Sequence, residues 1–144
     1  MNKWHTDYLA LAQFWAERKS KDPSTKTGAV IVRPDNTIVS MGYNGFPMGM
    51  SDDEQLYADR QKKYELIVHC EMNAILFSTE CLSGTTLYTW PFLSCPRCAV
   101  HVIQAGITRV VAPKCPEDKL ERWGEALERT KALFAEAKVE VIEV

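Results

Sequence analysis

The sequence predicts an α/β protein: three α-β-α layers around a central five-stranded mixed sheet. Three observations point there. Segments with apolar residues at three- and four-residue spacing alternate with short apolar runs. The first two runs flank Pro34-Asp35-Asn36, the turn of a hairpin. Beyond that hairpin a helical segment separates each run from the next, the pattern of parallel crossovers.

Residues 4–19 carry Tyr8, Leu11, Ala12 and Trp15 at helical spacing, and Asp22-Pro23-Ser24 ends this helix. Residues 28–32 are an apolar strand and 37–41 its hairpin partner. Residues 42–49 hold three glycines and a proline, which predicts a loop that brings backbone close to something. The polar stretch 52–63 is a short helix or part of that loop. Residues 69–79 form a helix with Met72, Ile75 and Leu76 on one face, and 85–89 a strand. A helix over 95–104 stops at Gly106. A strand follows at 109–112. The longest helix, 121–138, has Trp123, Leu127 and Phe134 on its apolar side, and 139–144 is the last strand. No repeat, low-complexity tract or linker interrupts the chain, so residues 1–144 read as one domain.

The 144 residues are 46% hydrophobic and 25% charged, a globular composition. A net charge of −2 and a pI of about 5.9 lack the basic footprint of a polynucleotide binder. The N-terminus lacks a signal-peptide pattern, and no run is long and apolar enough for a membrane span. Five cysteines without a secretory signal read as reduced thiols in a cytoplasmic protein, some of them metal ligands. Cys81 and Cys70 are expected in the core, Cys115 in a loop, and His101 packed or at the surface.

The chemistry concentrates in His69-Cys70-Glu71 and Cys95-Pro96-Arg97-Cys98, each opening a predicted helix after an irregular segment. His69, Cys95 and Cys98 supply three zinc ligands, which leaves a tetrahedral ion one open position, the mark of a catalytic site. Structural zinc would need a fourth ligand, with His101 and Cys115 the candidates; a redox pair is the other alternative. Two helix N-termini pointing at one place make it electropositive and favour the thiolates. Two thiolates neutralise the ion and weaken it as a Lewis acid, so a carboxylate must help deprotonate the water it activates. Glu71 is that carboxylate. The combination suits hydrolytic removal of an amino group from an amidine-like carbon, and it is the general signature of zinc nucleobase deaminases.

The chain resembles the deoxycytidylate (dCMP) deaminases of the cytidine deaminase-like superfamily, from about Trp15 to Val111. The resemblance rests on Asp22-Pro23-Ser24-Thr25-Lys26-Thr27-Gly28-Ala29, Gly42-Tyr43-Asn44-Gly45-Phe46-Pro47, Lys63-Tyr64, the two metal motifs with Met72-Asn73-Ala74-Ile75, Thr86-Leu87-Tyr88 and Ile103-Gln104-Ala105-Gly106-Ile107. It implies a cytidine deaminase-like fold and conversion of dCMP to dUMP and ammonia, with Glu71 assisting attack of zinc-bound hydroxide on C4 of the cytosine ring. A 5-modified dCMP, a free nucleoside or a guanine-type base is the alternative substrate. Asn44 matches the residue that contacts the sugar; its other reading is a turn residue with a left-handed backbone. Ser24, Thr25 and Lys26 either bind the 5′-phosphate or form a polar loop. Tyr64 either closes over the nucleotide or is a core aromatic, and Trp90 belongs to a loop expected beside the base. The expected partner is a small nucleotide, with no polynucleotide and no membrane. The resemblance also implies a homo-oligomer, typically a hexamer.

Three features depart from the family pattern. Ser94 stands where proline precedes the first cysteine, and the run 89–94 is about one residue longer. Cys70 replaces the usual alanine, and its neighbour position on the helix predicts that it points away from the metal. Met48 replaces a cation common in nucleotide-regulated members. Asp52 and Asp53 would hold Mg²⁺ only for a nucleoside triphosphate regulator; a solvated acidic turn is the other reading.

Overall fold

Two apolar sheet faces decide the layering. The computed structural model describes residues 2–144. Its elements are α1 (Lys3–Lys19), β1 (Gly28–Val32), β2 (Ile38–Tyr43), α2 (Glu54–Ala58), α3 (Arg60–Leu66), α4 (Cys70–Leu76), β3 (Thr86–Trp90), α5 (Pro96–Gln104), β4 (Arg109–Ala112), α6 (Glu117–Glu136) and β5 (Glu140–Glu143). The sheet order is β2-β1-β3-β4-β5. Every residue of the central β1 is buried, as expected of a strand covered on both faces. Ala29 and Ile31 join Leu87, Val110 and Ala112 under α4, α5 and α6. Val30, Val32, Tyr88 and Val111 face the other way, against Tyr8, Leu9 and Ala12 of α1. The result is the three-layer mixed-sheet arrangement, with one helix on one face and three on the other.

β3–β4 and β4–β5 are parallel. β1 is antiparallel to both β2 and β3. The chain therefore steps over β1 between β2 and β3, so those two strands share a direction without touching. The hairpin turn holds Asn36 at φ 69°, and Thr37 N–H donates to Asp35 Oδ1 at 3.0 Å.

Several elements differ from their expected bounds. β2 runs on through Gly42 and Tyr43 into what reads as loop. The reason is packing: a Cβ at Gly42 would strike the Cys70 carbonyl and the Ala74 amide of α4. The glycine thus permits a helix to lie directly on a strand. The polar stretch forms two short helices, capped by Asp53 and Asp59. α6 starts earlier than expected, with Glu117 and Asp118 in its first turn, where negative charge suits the dipole. α4 is shorter, ending at Leu76. Gly106 adopts φ 88° after α5, as its stop position predicts. Cys81 corrects the expectation of a core thiol: it is exposed.

Candidate metal and active site

The second helix layer builds the site. His69 occupies the cap position of α4 and Cys95 that of α5, and neither side chain caps its own helix. Both side chains are thereby left to point outward from adjoining helix N-termini. Pro96 at the first position of α5 fixes the turn that presents Cys95. The ligand atoms of His69, Cys95 and Cys98 lie within 4.8 Å of one another, the only such group of three metal-binding side chains among the described residues. His69 Nδ1 is 3.2 Å from Cys98 Sγ and 3.5 Å from Cys95 Sγ. Around a tetrahedral zinc, bond lengths of about 2.0–2.1 Å to nitrogen and 2.3 Å to sulfur give N···S edges of about 3.6 Å. The donor set and its spacing therefore fit zinc, with Nδ1 as the histidine ligand atom. His101 and Cys115 stand apart: His101 Nδ1 bonds the Arg97 carbonyl at 2.7 Å, and Cys115 Sγ approaches the Pro116 carbonyl.

The electrostatics prepare the group for a cation. The Cys95 thiol is lowered to about 4 by the hydrogen bond that Cys98 donates to it and by His69, against the effect of burial. Cys98, which keeps the shared proton, is pushed up. His69 is raised by its bond to Cys95, partly offset by burial. A bound cation replaces those protons.

Glu71 is 5% exposed and sits in the first turn of α4. The Cys70 thiol donates to Glu71 Oε1 at 2.9 Å. Cys70 belongs to the core cluster as expected, and its sulfur is not among the three clustered ligand atoms. The α4 backbone turn that buries both residues brings them together.

Asn44 is buried and not left-handed. Its Oδ1 accepts from Ser20 Oγ at 2.6 Å and from the Thr27 amide at 3.0 Å, and its Nδ2 donates to the Thr25 carbonyl at 2.7 Å. It clamps the 20–27 loop to the end of β2, leaving one amide N–H. Asp22 organises the same loop. Its Oδ1 accepts from the amides of Ser24 and Thr25 and from Ser24 Oγ. Lys63 Nζ lies 2.7 Å from its Oδ2 and 3.1 Å from Ser24 Oγ. Lys26 Nζ donates to the Ser20 carbonyl at 3.0 Å. Ser24 and Lys26 are thus tied into the loop itself. Ser20, Asp22 and Lys63 carry the arrangement, and none of them was among the candidate site residues; the sign, burial of Ser20 and Asp22, is one that only the fold reveals.

Trp90 is placed elsewhere. Strand alternation turns it with Tyr88 toward α1, where it lines a groove with Leu9, Gln13 and Val144. The aromatic on the metal side is Phe92, which packs on Trp123 of α6 with ring centroids 6.1 Å apart. Tyr64 is 60% exposed, so it is no core aromatic. Thr130 Oγ1 donates to the Ser94 carbonyl at 2.8 Å and ties the segment before Cys95 to α6. The Asp52 carboxylate pairs with Lys21 at 2.6 Å, and Asp53 caps α2, so both acids already have structural work.

The family described as "Cytidine and deoxycytidylate deaminase zinc-binding region" matches residues 2–114. An uncharacterised deaminase encoded in the luxG 3′ region of Aliivibrio fischeri is 42% identical over 141 residues, covering 98% of this chain and 93% of that protein. Human deoxycytidylate deaminase is 39% identical over 116 residues, covering 76% of this chain and 64% of the human protein. The chain thus spans less than two thirds of the human enzyme's length. The crystal structure of dCMP deaminase from the cyanophage S-TIM5, in complex with dCMP and dUMP, superposes with a TM-score of 0.73 at 22% identity, covering 100% of this chain and 99% of that one. At that identity the likeness speaks for the fold.

Proposed function

The chain belongs to the cytidine and deoxycytidylate deaminase family of hydrolytic deaminases, and from that premise we propose that it converts dCMP and water to dUMP and ammonia. The observation that carries the reading is the meeting of His69 Nδ1, Cys95 and Cys98, with Glu71 buried in the helix turn that His69 opens. Zinc held by those three side chains would supply Lewis-acid activation of a water at the remaining coordination position. Glu71 takes one proton from the water and delivers it to the ring nitrogen, then takes the second from the new C4 hydroxyl and delivers it to the departing amine. The oxygen of the water ends on C4, and ammonia carries away the amine. Asn44 offers its remaining amide N–H to the sugar, and Ser24, Thr25 and Lys26 frame that side of the nucleotide. Phe92, on its Trp123 support, stands beside the base.

We place Leu76 and Phe77 at the end of α4 and Val100 on α5, which are exposed at 65%, 58% and 46%, in a contact between copies of the chain, so that the enzyme is a homo-oligomer. Light scattering on the purified protein reads this directly. The activity test measures ammonia release by the zinc-loaded protein from dCMP, 5-methyl-dCMP, deoxycytidine, cytidine and guanine. The expected result is preference for dCMP; a protein that leaves dCMP intact overturns the reading.

A further inference from the structure

We propose that Thr130 of α6 is a positioning residue of the metal group: by holding the Ser94 carbonyl it fixes the backbone that aims Cys95 at the cation, and so sets how tightly the cation is bound. This role rests on the zinc reading above and adds to it a residue from outside the ligand set.

Cys95 is the cap of α5, so half of its backbone lies outside the helix. Its own carbonyl is held by the first turn, where the Ala99 amide donates to it at 2.9 Å. The preceding peptide comes before the helix, and no helical bond holds it. That peptide runs from the Ser94 Cα to the Cys95 Cα, and it is planar, so fixing its oxygen fixes its far end. Thr130 Oγ1 donates to that oxygen at 2.8 Å. With both flanking peptides held, the Cα–Cβ bond of Cys95 has one direction, and the χ1 rotamer alone places the sulfur.

His69, the cap of α4, is delivered in the same way by backbone alone. Its carbonyl accepts from the Asn73 amide at 3.0 Å, and the preceding Val68 carbonyl accepts from the Gly45 amide at 3.1 Å. At Cys95 a side chain supplies the part that a backbone amide supplies at His69. Cys98 lies inside α5, where helical bonds suffice.

The surroundings of Thr130 suit this role. Trp123, Leu127, Thr130 and Phe134 recur at four- and three-residue spacing and so share one face of α6. Leu127 and Phe134 belong to the core cluster, and Trp123 packs against it. Thr130 is the polar member of that stripe and is 0% exposed. A hydroxyl buried there is costly unless it is bonded, and the Ser94 carbonyl is its partner. The start of the same segment is held as well: Phe92 packs on Trp123, and Thr89 Oγ1 donates to the Phe92 carbonyl at 3.1 Å.

The test uses the full chain. Thr130→Val and Thr130→Ala remove the donor, Thr130→Ser keeps it, and Phe134→Leu disturbs the same apolar stripe while leaving the bond in place. Zinc affinity is read by competition with a chromophoric chelator. Thiolate ligation is read from the sulfur-to-metal charge-transfer band of the Co²⁺-loaded chain, and circular dichroism of the metal-free chain checks folding. The valine and alanine variants should bind zinc about tenfold to a hundredfold more weakly, the usual effect of losing a contact that orients a ligand. Their cobalt band should shift or weaken, while Thr130→Ser and Phe134→Leu match the parent in both readouts. Parent-like affinity in the valine and alanine variants overturns the positioning role and leaves the zinc reading standing. A loss shared by Thr130→Ser or Phe134→Leu overturns it too, since the donor is then not what matters. Failure of both donorless variants to fold marks Thr130 as a residue of the fold and has the same consequence. A parent chain that takes up neither ion overturns the zinc reading itself, and the role of Thr130 with it.

Discussion

In the proposed reaction Glu71 moves protons while His69, Cys95 and Cys98 hold the metal. Replacing Glu71 by Gln keeps shape and hydrogen bonding but removes the base, so kcat on dCMP should fall about 10²–10⁴-fold while zinc content and dUMP binding persist; undiminished turnover would remove Glu71 from the mechanism. The ligands set the pH behaviour of metal loading. Cys98 and His69 are both pushed up in the metal-free group, so protons compete with the cation, and zinc affinity should rise with pH and release should begin on mild acidification. Titrating zinc release against pH checks the sign. Asp22 shows the opposite shift. Burial raises its carboxyl, but Lys63 and the Ser24 and Thr25 amides outweigh that and leave it below the ordinary range. A depressed folded-state value adds stability that is present above the unfolded value and lost as pH falls through the folded one. Asp22→Asn should therefore cost about 1–3 kcal/mol at neutral pH, and the gap to the parent should close in urea melts below about pH 4. His69, Glu71, Cys95 and Cys98 stood out in sequence because His-x-Glu and Cys-x-x-Cys are each a compact motif of metal-binding residue types. The Asp22–Lys63 and Asn44–Ser20 pairs did not, because no motif couples the two partners and only the fold brings them together.

At the scale of elements, the ligand geometry depends on where α4 lies. Gly42 sets that position by letting the Cys70–Ala74 backbone rest on β2. A methyl group there must push α4 away, since neither the strand nor the helix backbone can yield locally. Gly42→Ala should cost about 1–3 kcal/mol, and with it zinc stoichiometry, because His69 and Glu71 ride on the displaced turn. Melting temperature and zinc per chain are the readouts; a variant with full zinc and unchanged stability would show that α4 is not seated by this contact. The glycine was visible in sequence and its purpose was not. Glycine in a run with proline reads as a loop, whereas a close backbone approach needs the partner helix to be in view. The strand end likewise separated Trp90 from Phe92: alternation alone would put residues two apart on one face, but β3 stops at Trp90 and the bend at Pro91-Phe92 carries the second aromatic to the other side. The period-based elements β1 and β4 emerged with their expected bounds, since continuous apolar runs leave little freedom in a buried strand.

Across the whole molecule, the alternation of helix and strand after the hairpin carried the layered architecture, and the parallel β3-β4-β5 half follows from it. The antiparallel insertion of β1 between β2 and β3 does not follow, because nothing local tells a chain which edge of a hairpin the next strand will join. That placement puts one helix, α1, on one face and the metal-bearing helices on the other. The two faces should therefore respond differently when the metal is removed. Zinc present at a thousandfold over its dissociation constant stabilises the folded chain by about 4 kcal/mol, and the protein contacts through which it acts are those of His69 on α4 and Cys95 and Cys98 on α5. Chelation should thus lower the melting temperature and speed amide exchange in the first turns of α4 and α5 and in the 90–95 segment. The α1 helix and the Val30, Val32 and Tyr88 strand positions packed on it rest on apolar burial that the metal does not touch, and should keep their protection. Hydrogen exchange of the zinc-loaded and chelated protein separates the outcomes. A uniform loss over both faces would mean that the metal holds the entire fold. No change in α4 and α5 would mean that their N-termini are fixed by packing alone, and that the three donor atoms wait preformed for the ion.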